Sequence, residues 1–237
     1  MKTTLSFSSL KAFSQSPDHF IAYKNKVFKP SSAMEFGTAV HMAVLEPELF
    51  HQTYDLAEGR KGTKIYKTQL EAGRKLLTQS EWTACHTIQE KVLTHPLSAE
   101  LLGQCTSLEE KVQGEIEGHP FRGIVDARCK DFAIDLKTTK DGSPREFANS
   151  VWRLKYHLQA AIYCELTGAK DYWIIAVENT APYVVTAYLL DQDLLDRGRE
   201  LMFDLIKQFE NWDGASGGYD RNTPNGFFNL EKPSWVV

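Results

Sequence analysis

The chain has few cysteines and no long apolar run. Its cysteines are scattered without a CxxC pair, at Cys85, Cys105, Cys129 and Cys164. That spacing argues against a zinc knuckle, an iron–sulfur cluster and a disulfide framework, so we expect most of them to be small core residues. No apolar stretch approaches the roughly 20 residues of a membrane-spanning helix, and the amino terminus lacks the apolar segment of a secretory signal. We therefore expect a cytoplasmic protein with no membrane partner.

The chain also lacks the excess of positive charge that many nucleic-acid-binding proteins carry. Its 27 Lys and Arg residues face 31 Asp and Glu residues, which gives a net charge of −4. The distribution of charge is more informative than the total. Between Arg60 and Lys75 the basic residues are opposed by Glu71 alone. This segment is either a solvated helix face or a surface that follows the phosphates of a nucleic acid.

The first part of the chain, residues 1–105, has the pattern of a mainly helical segment. A first helix is predicted from about Leu10, capped by Ser8 or Ser9 and interrupted at Ser16-Pro17. A second helix is predicted over Ala33 to Glu46. A longer helical region, continuous or broken, is predicted over Lys64 to Leu93 and ends at His95-Pro96.

The second part, residues 106–212, has the pattern of an α/β core. The predicted elements are strands over 108–114, 121–128 and 132–138, a helix over 149–167 that Gly168 ends, a hairpin of strands 172–178 and 183–190, and a helix over 191–211. Residues 213–237 read as a loop-rich tail. We expect one domain over residues 1–237, because strands, a helix and further strands predict a single α/β sheet behind the helical front.

Two aspartates on neighbouring predicted strands are the most informative feature. A hairpin with Lys130-Asp131 at its tip places Asp126 directly opposite Asp135, with both side chains on one face of the sheet. Lys137 shares that face, whereas Val125 and Leu136 oppose each other on the other, apolar face. A surface hairpin whose charges face solvent is the alternative, and a slip of one residue would separate the two acids.

The facing carboxylates predict a divalent cation between them. Their Cβ atoms would be about 5 Å apart, and like charges directly opposite destabilise a sheet unless a cation lies between them. Carboxylate oxygens with open water positions suit Mg²⁺ or Mn²⁺. Such an ion can polarise a phosphodiester or supply a hydroxide. Lys137 could orient or deprotonate the attacking water, or stabilise charge on the phosphate.

These residues resemble the two-strand metal motif of the PD-(D/E)xK nuclease superfamily, with Val125 in place of the usual proline. Three more segments narrow the resemblance to RecE-like nucleases (exodeoxyribonuclease VIII and lambda-exonuclease type) in the RecB-like branch. The matching segments are Ser6–Lys11 followed by Ser16-Pro17, Gly37-Thr38-Ala39-Val40-His41, and the QxxxY helix Gln159–Tyr163. The resemblance implies a restriction-endonuclease-like core with a central mixed β-sheet flanked by helices, plus an amino-terminal helical region.

The same resemblance implies an activity and partners. It implies a Mg²⁺-dependent exonuclease, with Mn²⁺ as the other candidate ion, that degrades linear double-stranded DNA from 5′ to 3′. The 3′ single strands would go to a single-strand annealing protein in recombination, and the enzyme would be a homo-oligomeric ring in a bacterial or phage-infected cytoplasm. Iron–sulfur relatives carry a cysteine set that this chain lacks. A single-strand or structure-specific endonuclease and an inactive DNA-end-binding protein are the alternatives.

The resemblance also assigns roles to individual residues. The expected metal ligands are His41, Asp126, Asp135, the Leu136 backbone carbonyl and Glu109, which we favour over Glu110. Lys137, Gln159 and Tyr163 join the two aspartates as catalytic residues. Apart from the resemblance, the helix start at Ser6, Ser8 and Lys11 could bind a terminal phosphate, and the positive charge of Arg60, Lys61 and Lys64 predicts contact with the DNA backbone. The simpler alternatives are a structural histidine, core packing by Tyr163, an exposed strand end at Glu109 and helix capping by the serines.

Overall fold

The computed structural model describes residues 3–27, 29–60 and 62–219. In chain order its helices are α1 (Phe7–Phe13), α2 (Pro17–Lys24), α3 (Ser32–Leu45), α4 (Pro47–Thr53), α5 (Lys64–Glu71), α6 (Gln79–Thr94), α7 (Pro96–Gly103), α8 (Pro144–Arg153), α9 (Tyr156–Thr167) and α10 (Gln192–Glu210). Its strands are β1 (Tyr54–Leu56), β2 (Lys75–Leu77), β3 (Ser107–Ile116), β4 (His119–Arg128), β5 (Phe132–Thr139), β6 (Asp171–Glu178) and β7 (Val185–Leu189).

A five-stranded mixed sheet forms the centre of the molecule. Its strand order is β3-β4-β5-β6-β7, and all neighbours are antiparallel except the parallel pair β5 and β6. Helices α1, α2, α8, α9 and α10 supply the core on one face, and α3, α4, α6 and α7 supply the core on the other. Because both faces are covered, β5 and β6 bury side chains on both sides. The predicted fold, a mixed sheet flanked by helices, is confirmed.

Two predicted helices have different bounds in the structure. The helix expected over residues 149–167 is two helices, because Lys155 adopts a left-handed φ of 59° between α8 and α9. The first helix begins at Phe7 rather than near Leu10, and Ser6, not Ser8 or Ser9, is its N-cap. Gly168 ends α9 in the left-handed conformation, as predicted.

The helical region predicted over residues 64–93 is broken by a short strand. Gly73 follows α5 with a φ of 79°, and β2 then pairs in parallel with β1. Arg74 stabilises this small sheet by donating to the Asp55 carboxylate at 3.0 Å and to backbone carbonyls at the end of α4. Helix α6 then begins behind a capping box of Thr78 and Glu81.

The central sheet opens between β4 and β5. Backbone pairing joins these strands only at Ala127 with Ile134 and at Arg128 with Ala133, which is the predicted register. Beyond these pairs the Asp126 carboxylate, rather than a backbone carbonyl, accepts a 2.7 Å hydrogen bond from the Leu136 amide. Leu5 pairs with the freed edge of β4, where its amide donates to the Pro120 carbonyl at 2.8 Å. The segment before α1 therefore pairs with β4 in the part of this strand that is not paired with β5.

The faces of β4 differ from the prediction at one point. Val125 packs in the core beneath α9, whereas Ala127 packs in the core on the opposite face. The alternation of the strand is therefore interrupted at Asp126. Leu136 lies in the second core, so the predicted packing of Val125 opposite Leu136 on one shared face is wrong. The divergence of the two strands is the physical reason.

Cysteine placement also differs in part from the prediction. Cys105 and Cys129 are joined by a disulfide, a link between residues 24 apart that the scattered spacing did not predict. Cys85 and Cys164 are buried free thiols, as expected for small core residues.

None of the helices in the described part of the chain has the length and apolar character needed to cross a bilayer. The single-domain organisation remains a prediction, and residues 220–237 of the predicted tail lie outside the described residues.

Candidate active site

One cleft brings together most of the side chains that the sequence selected. It has a volume of about 810 Å³ and lies where the sheet opens, between α3, the central strands and the α8–α9 junction. The predicted site residues among its lining are Ser8, His41, Glu109, Asp126, Lys137, Gln159 and Tyr163. Asp135 lies beneath this surface, with 1% of its side chain exposed.

Helix α3 brings His41 to the sheet. Gly37, one turn earlier, allows close approach, because a Cβ there would lie 3.3 Å from the Thr138 hydroxyl oxygen on β5. The His41 Nδ1 atom lies 3.5 Å from an Asp126 carboxylate oxygen and 4.0 Å from a Glu109 carboxylate oxygen. The glycine thus lets a helical histidine reach two carboxylates on the sheet.

Glu109 enters the cleft through an unusual backbone conformation. It lies opposite Asp126, between the paired residues Leu108 and Glu110, and its φ of 49° is in the left-handed region. For a residue other than glycine this conformation costs about 1–2 kcal/mol. The Glu110 side chain is instead bound to Arg128, because its carboxylate accepts a 2.8 Å hydrogen bond from the Arg128 guanidinium. The structure therefore places Glu109, and not Glu110, in the cleft.

Burial and mutual repulsion raise the pKa of two carboxyl groups at the cleft. Burial, reinforced by the Asp126 and Glu46 carboxylates, raises the pKa of Glu109 to about 7. Burial also raises the pKa of Asp135 to about 6, although Lys137 acts in the opposite direction. Desolvation and like charges both disfavour an ionised carboxyl group, so both shifts have an identified cause.

Asp135 holds a network of its own. Its Oδ1 atom accepts a 2.9 Å hydrogen bond from the Gln159 side chain, and its Oδ2 atom forms an ion pair with Lys137. Burial alone would lower the pKa of Lys137, but the Asp135 and Asp126 charges outweigh it and raise that pKa. Lys137 is therefore a protonated donor, which favours orientation of water and stabilisation of phosphate charge over proton abstraction.

A group of three residues fits a divalent cation. One ligand atom from each of His41, Glu109 and Asp126 lies within 4.8 Å of the other two. Octahedral ligands at about 2.1 Å from Mg²⁺ are about 3.0 Å apart when adjacent and about 4.2 Å apart when opposite, so the three side chains would have to move closer together by roughly an ångström to bind the ion. The imidazole suits Mn²⁺ better than Mg²⁺, while the carboxylates suit both. Asp135 is not in this group, and the Leu136 carbonyl remains a predicted ligand.

Tyr163 is partly a core residue, as the simpler alternative proposed. It is 7% exposed, and its ring covers Gly123, where an added Cβ would lie 2.5 Å from the Cε1 atom. Burial raises the pKa of Tyr163 to about 12, so its hydroxyl is neutral. It still lines the cleft, and it can donate a hydrogen bond there.

Among the cleft residues that were not selected from the sequence, two act directly on the site. Tyr156 lies beneath Lys137, whose Nζ atom is 4.9 Å from the ring centroid. Its position three residues before Gln159 on the same helix was the available signal. Glu46, at the end of α3, lines the cleft and contributes to the raised pKa of Glu109. No sequence pattern marked Glu46.

The predicted DNA-contacting residues divide into two groups. Ser6 caps α1 in a reciprocal box with Ser9, which supports the capping alternative, whereas Ser8 is exposed at the cleft. Lys11 lies close enough to the site for burial, Lys137 and Lys155 to lower its pKa. Arg60 and Lys64 are exposed and do not line the cleft, and Lys61 lies outside the described residues.

Comparisons with known proteins identify the family and the fold. Residues 6–213 match the family described as a PDDEXK-like domain of unknown function (DUF3799). No curated protein matched the chain. The fold is similar to the crystal structure of a "putative exonuclease" from Eubacterium rectale, with a TM-score of 0.64 and 15% identity over 97% of this chain and 90% of that chain.

Two further solved structures are more distant. A phage-related exonuclease from Haemophilus somnus 129PT has a TM-score of 0.36 and 13% identity over 79% of this chain and 97% of that chain. An alkaline exonuclease from Laribacter hongkongensis has a TM-score of 0.31 and 12% identity over 75% of this chain and 93% of that chain. Neither is close enough to carry an argument. The family match, which spans most of the sequence, confirms the resemblance to the PD-(D/E)xK superfamily, and the chain belongs to the PDDEXK-like family.

Proposed function

We propose that this protein is a divalent-metal-dependent exonuclease that cleaves phosphodiester bonds of DNA from an end. The observation that carries the proposal is the junction, in one cleft, of two groups of side chains. The ligand group His41, Glu109 and Asp126 adjoins the buried pair of Asp135 and Lys137. A phosphodiester cleavage site needs both a place for a cation and a fixed donor for the phosphate.

Each side chain has a defined task in this proposal. His41, Glu109 and Asp126 would hold a divalent ion, with Asp135 and the Leu136 carbonyl as further proposed ligands. Once bound, the ion would polarise the phosphodiester and acidify an attacking water. Lys137 would donate to a phosphate oxygen or orient that water.

Gln159 and Tyr156 would position the side-chain ammonium group of Lys137. Gln159 holds the Asp135 carboxylate by a hydrogen bond, and the Tyr156 ring contacts the Lys137 ammonium group, whose Nζ atom lies 4.9 Å from the ring centroid. Tyr163, whose hydroxyl is neutral, would donate to the DNA strand. Ser8 and Lys11, near the cleft, would contact a terminal phosphate.

The finer features of the proposal rest on the sequence resemblance. These are a double-stranded linear substrate, 5′ to 3′ polarity, Mg²⁺ as the working ion, a ring-shaped homo-oligomer, an annealing partner in recombination and a bacterial or phage-infected cytoplasm. The likeness in fold to the Eubacterium rectale protein agrees with an exonuclease.

Digestion of defined DNA tests the proposal directly. The substrates are a 5′-phosphorylated linear duplex labelled at either end and a closed circle of the same sequence, each with Mg²⁺, with Mn²⁺ and with a chelator. We expect metal-dependent release of nucleotides from the 5′ ends and no cutting of the circle. Cutting of the circle would instead favour an endonuclease. Binding of ends without cleavage in any metal would favour an end-binding protein.

A matched pair of variants ties the activity to the cleft. Asp135→Asn removes the buried charge beside Lys137, whereas Asp131→Asn removes an exposed charge on the same hairpin, which lies 3.3 Å from Lys170. We expect cleavage to disappear in the first variant and to persist in the second, with both folded by circular dichroism. An active Asp135→Asn protein would contradict the proposed role.

A further inference from the structure

Two histidines outside the cleft lie side by side on neighbouring helices. His51 of α4 is exposed, and His86 of α6 is half-buried. Their ring centroids are 5.5 Å apart, with an angle of 22° between the ring planes. Within the described part of the chain, neither ring forms a hydrogen bond or an ion pair. The ring nitrogens of both histidines are therefore available to an external ligand.

Aromatic packing holds the two rings in place. Trp82 lies one turn before His86 on α6, and the centroids of these two rings are 4.9 Å apart. The buried Phe50 ring contacts both histidines, at centroid distances of 5.4 Å from His51 and 5.7 Å from His86. Side chains that are already ordered lose little entropy when a ligand binds them. The pair is therefore a preorganised site of two imidazoles beside an apolar floor.

The chemistry of two unpaired imidazoles points to a transition-metal ion. Imidazole nitrogens suit Zn²⁺, Cu²⁺ and Ni²⁺, whereas Mg²⁺ and Ca²⁺ prefer oxygen ligands. Among the described residues, the cleft holds the one group of three or more side chains that is spaced for a metal ion. An ion at His51 and His86 would therefore have two protein ligands and complete its coordination with water.

The separation of the rings fits a tetrahedral ion. A zinc–nitrogen bond is about 2.0–2.1 Å long, which places the ion about 3.2 Å from the centre of the ring. Two rings on one ion then have centroids about 5.2 Å apart at a tetrahedral angle, and about 4.5 Å apart at the right angle of a square-planar ion. The observed 5.5 Å is closer to the tetrahedral value. Turns about χ2, a broad torsion in histidine, would aim one nitrogen of each ring at a common point.

The neighbouring positive charge is compensated. The Arg74 guanidinium donates to the backbone carbonyls of His51 and Gln52, and it is paired with the Asp55 carboxylate at 3.0 Å. This pairing reduces the repulsion that a second cation nearby would meet. We propose that His51 and His86 form a zinc site that links α4 to α6, separate from the cation site of the cleft.

Zinc binding by four untagged proteins tests the proposal. Because a transition-metal ion can also bind in the cleft, zinc chloride is titrated into the wild type, His51→Asn/His86→Asn, Asp126→Asn and the combination of these variants. Calorimetry at pH 8 follows binding, since zinc needs neutral imidazoles. We expect Asp126→Asn to keep one zinc ion per chain and the combined variant to lose it. Outer-shell partners of a metal ligand are worth about 10–100-fold in affinity, so loss of both ligands should cost at least that much.

A matched control and two further measurements identify the site. Gln52→Ala/Gln89→Ala removes neutral polar side chains from the same two helices, and in the Asp126→Asn background it should bind zinc as its parent does. Co²⁺ should give the intense visible absorption of a tetrahedral ion and quench tryptophan fluorescence, and this quenching should disappear in Trp82→Phe. Zinc at 100 times its dissociation constant should raise the Tm of Asp126→Asn by about 5–10 °C and leave that of the combined variant unchanged.

Three outcomes would overturn the proposal. They are no zinc binding by Asp126→Asn, binding that survives in the combined variant, and binding that the Gln52/Gln89 control loses equally. If the double histidine variant is unfolded by circular dichroism, His51→Asn alone gives the same comparison, because it changes an exposed side chain. None of these measurements uses DNA, so failure here would leave the proposed cleavage activity unaffected.

Discussion

Replacing Glu109 by glutamine should stabilise the metal-free protein and remove its activity. Glu109 is a buried carboxyl group in a left-handed backbone conformation, close to the Asp126 carboxylate. An ionised side chain that lowers the free energy of unfolding but lies at a cation site is kept because the function needs it. Glutamine keeps the shape of the side chain and removes its charge.

The magnitude follows from the raised pKa of Glu109. Its folded-state pKa is about 7 against an ordinary value of 4.5, a difference of about 2.5 units. At 1.36 kcal/mol per unit this amounts to about 3 kcal/mol. Because the folded pKa is the higher one, the contribution of this group to stability is fully present below pH 4.5 and is lost as the pH rises through 7. Glu109→Gln should therefore match the wild type near pH 4.5 and exceed it by up to about 3 kcal/mol at pH 8.

Thermal unfolding in chelator measures this gain. For a chain of this size, 3 kcal/mol corresponds to an increase of about 6–12 °C in Tm. Glu110→Gln is the control, because Ser107 and Arg128 hydrogen bonds lower the pKa of Glu110, so its loss should destabilise the protein at neutral pH. Added Mn²⁺ should raise the Tm of the wild type and not that of Glu109→Gln. A gain that is absent at pH 8, or equally large at pH 4.5, would refute the reasoning.

Three further predictions concern the packing of two helices, the proposed phosphate donor and the ligand group. Gly198→Ala should destabilise the fold by more than about 3 kcal/mol in urea unfolding, because an added Cβ would lie 2.1 Å from the His157 carbonyl oxygen. The clash would separate α10 from α9, the helix that carries Gln159, so cleavage should also decrease. Gly103→Ala is the control and should be neutral or stabilising, because nothing lies within 4 Å of its added Cβ. Lys137→Gln should lower kcat about 100-fold or more while DNA affinity in filter binding changes little, and an unchanged kcat would count against the proposed donor role. His41→Asn should weaken Mn²⁺ activation more than Mg²⁺ activation in parallel titrations, since imidazole suits Mn²⁺ better; equal weakening would argue against direct ligation.

Much of the site could be predicted because its signals are local. The register of the β4–β5 hairpin follows from a short turn, and it holds at Ala127 with Ile134. Gly168 ends a helix where its left-handed φ of 74° is required. His41, Asp126 and Gln159 belong to recognisable segments that the fold brings to one cleft. Local chemistry was sufficient for the hairpin register and the end of the helix, whereas His41 and Gln159 were identified through the family resemblance.

The remaining features depend on tertiary packing. Lys155 and Glu109 take left-handed conformations that their residue types disfavour, so no propensity predicts the helix break, and only the family resemblance favoured Glu109 over Glu110. The Asp126 carboxylate, rather than a backbone carbonyl, accepts the hydrogen bond of the Leu136 amide. The side chains of Val125 and Ala127 on β4 therefore point to opposite faces of the sheet, and no sequence signal predicts this. The disulfide joins Cys105 to Cys129 across the start of β3, a proximity that spacing alone does not encode.

Titration of the purified protein with Mn²⁺, followed by electron paramagnetic resonance, tests the central claim most directly. The wild type should bind the ion, whereas Asp126→Asn, which removes the carboxylate shared by His41 and the Leu136 amide, should lose most of that affinity while remaining folded. Asp131→Asn should bind as the wild type does. Undiminished Mn²⁺ binding by Asp126→Asn, or the absence of binding by the wild type, would contradict a cation site at His41, Glu109 and Asp126.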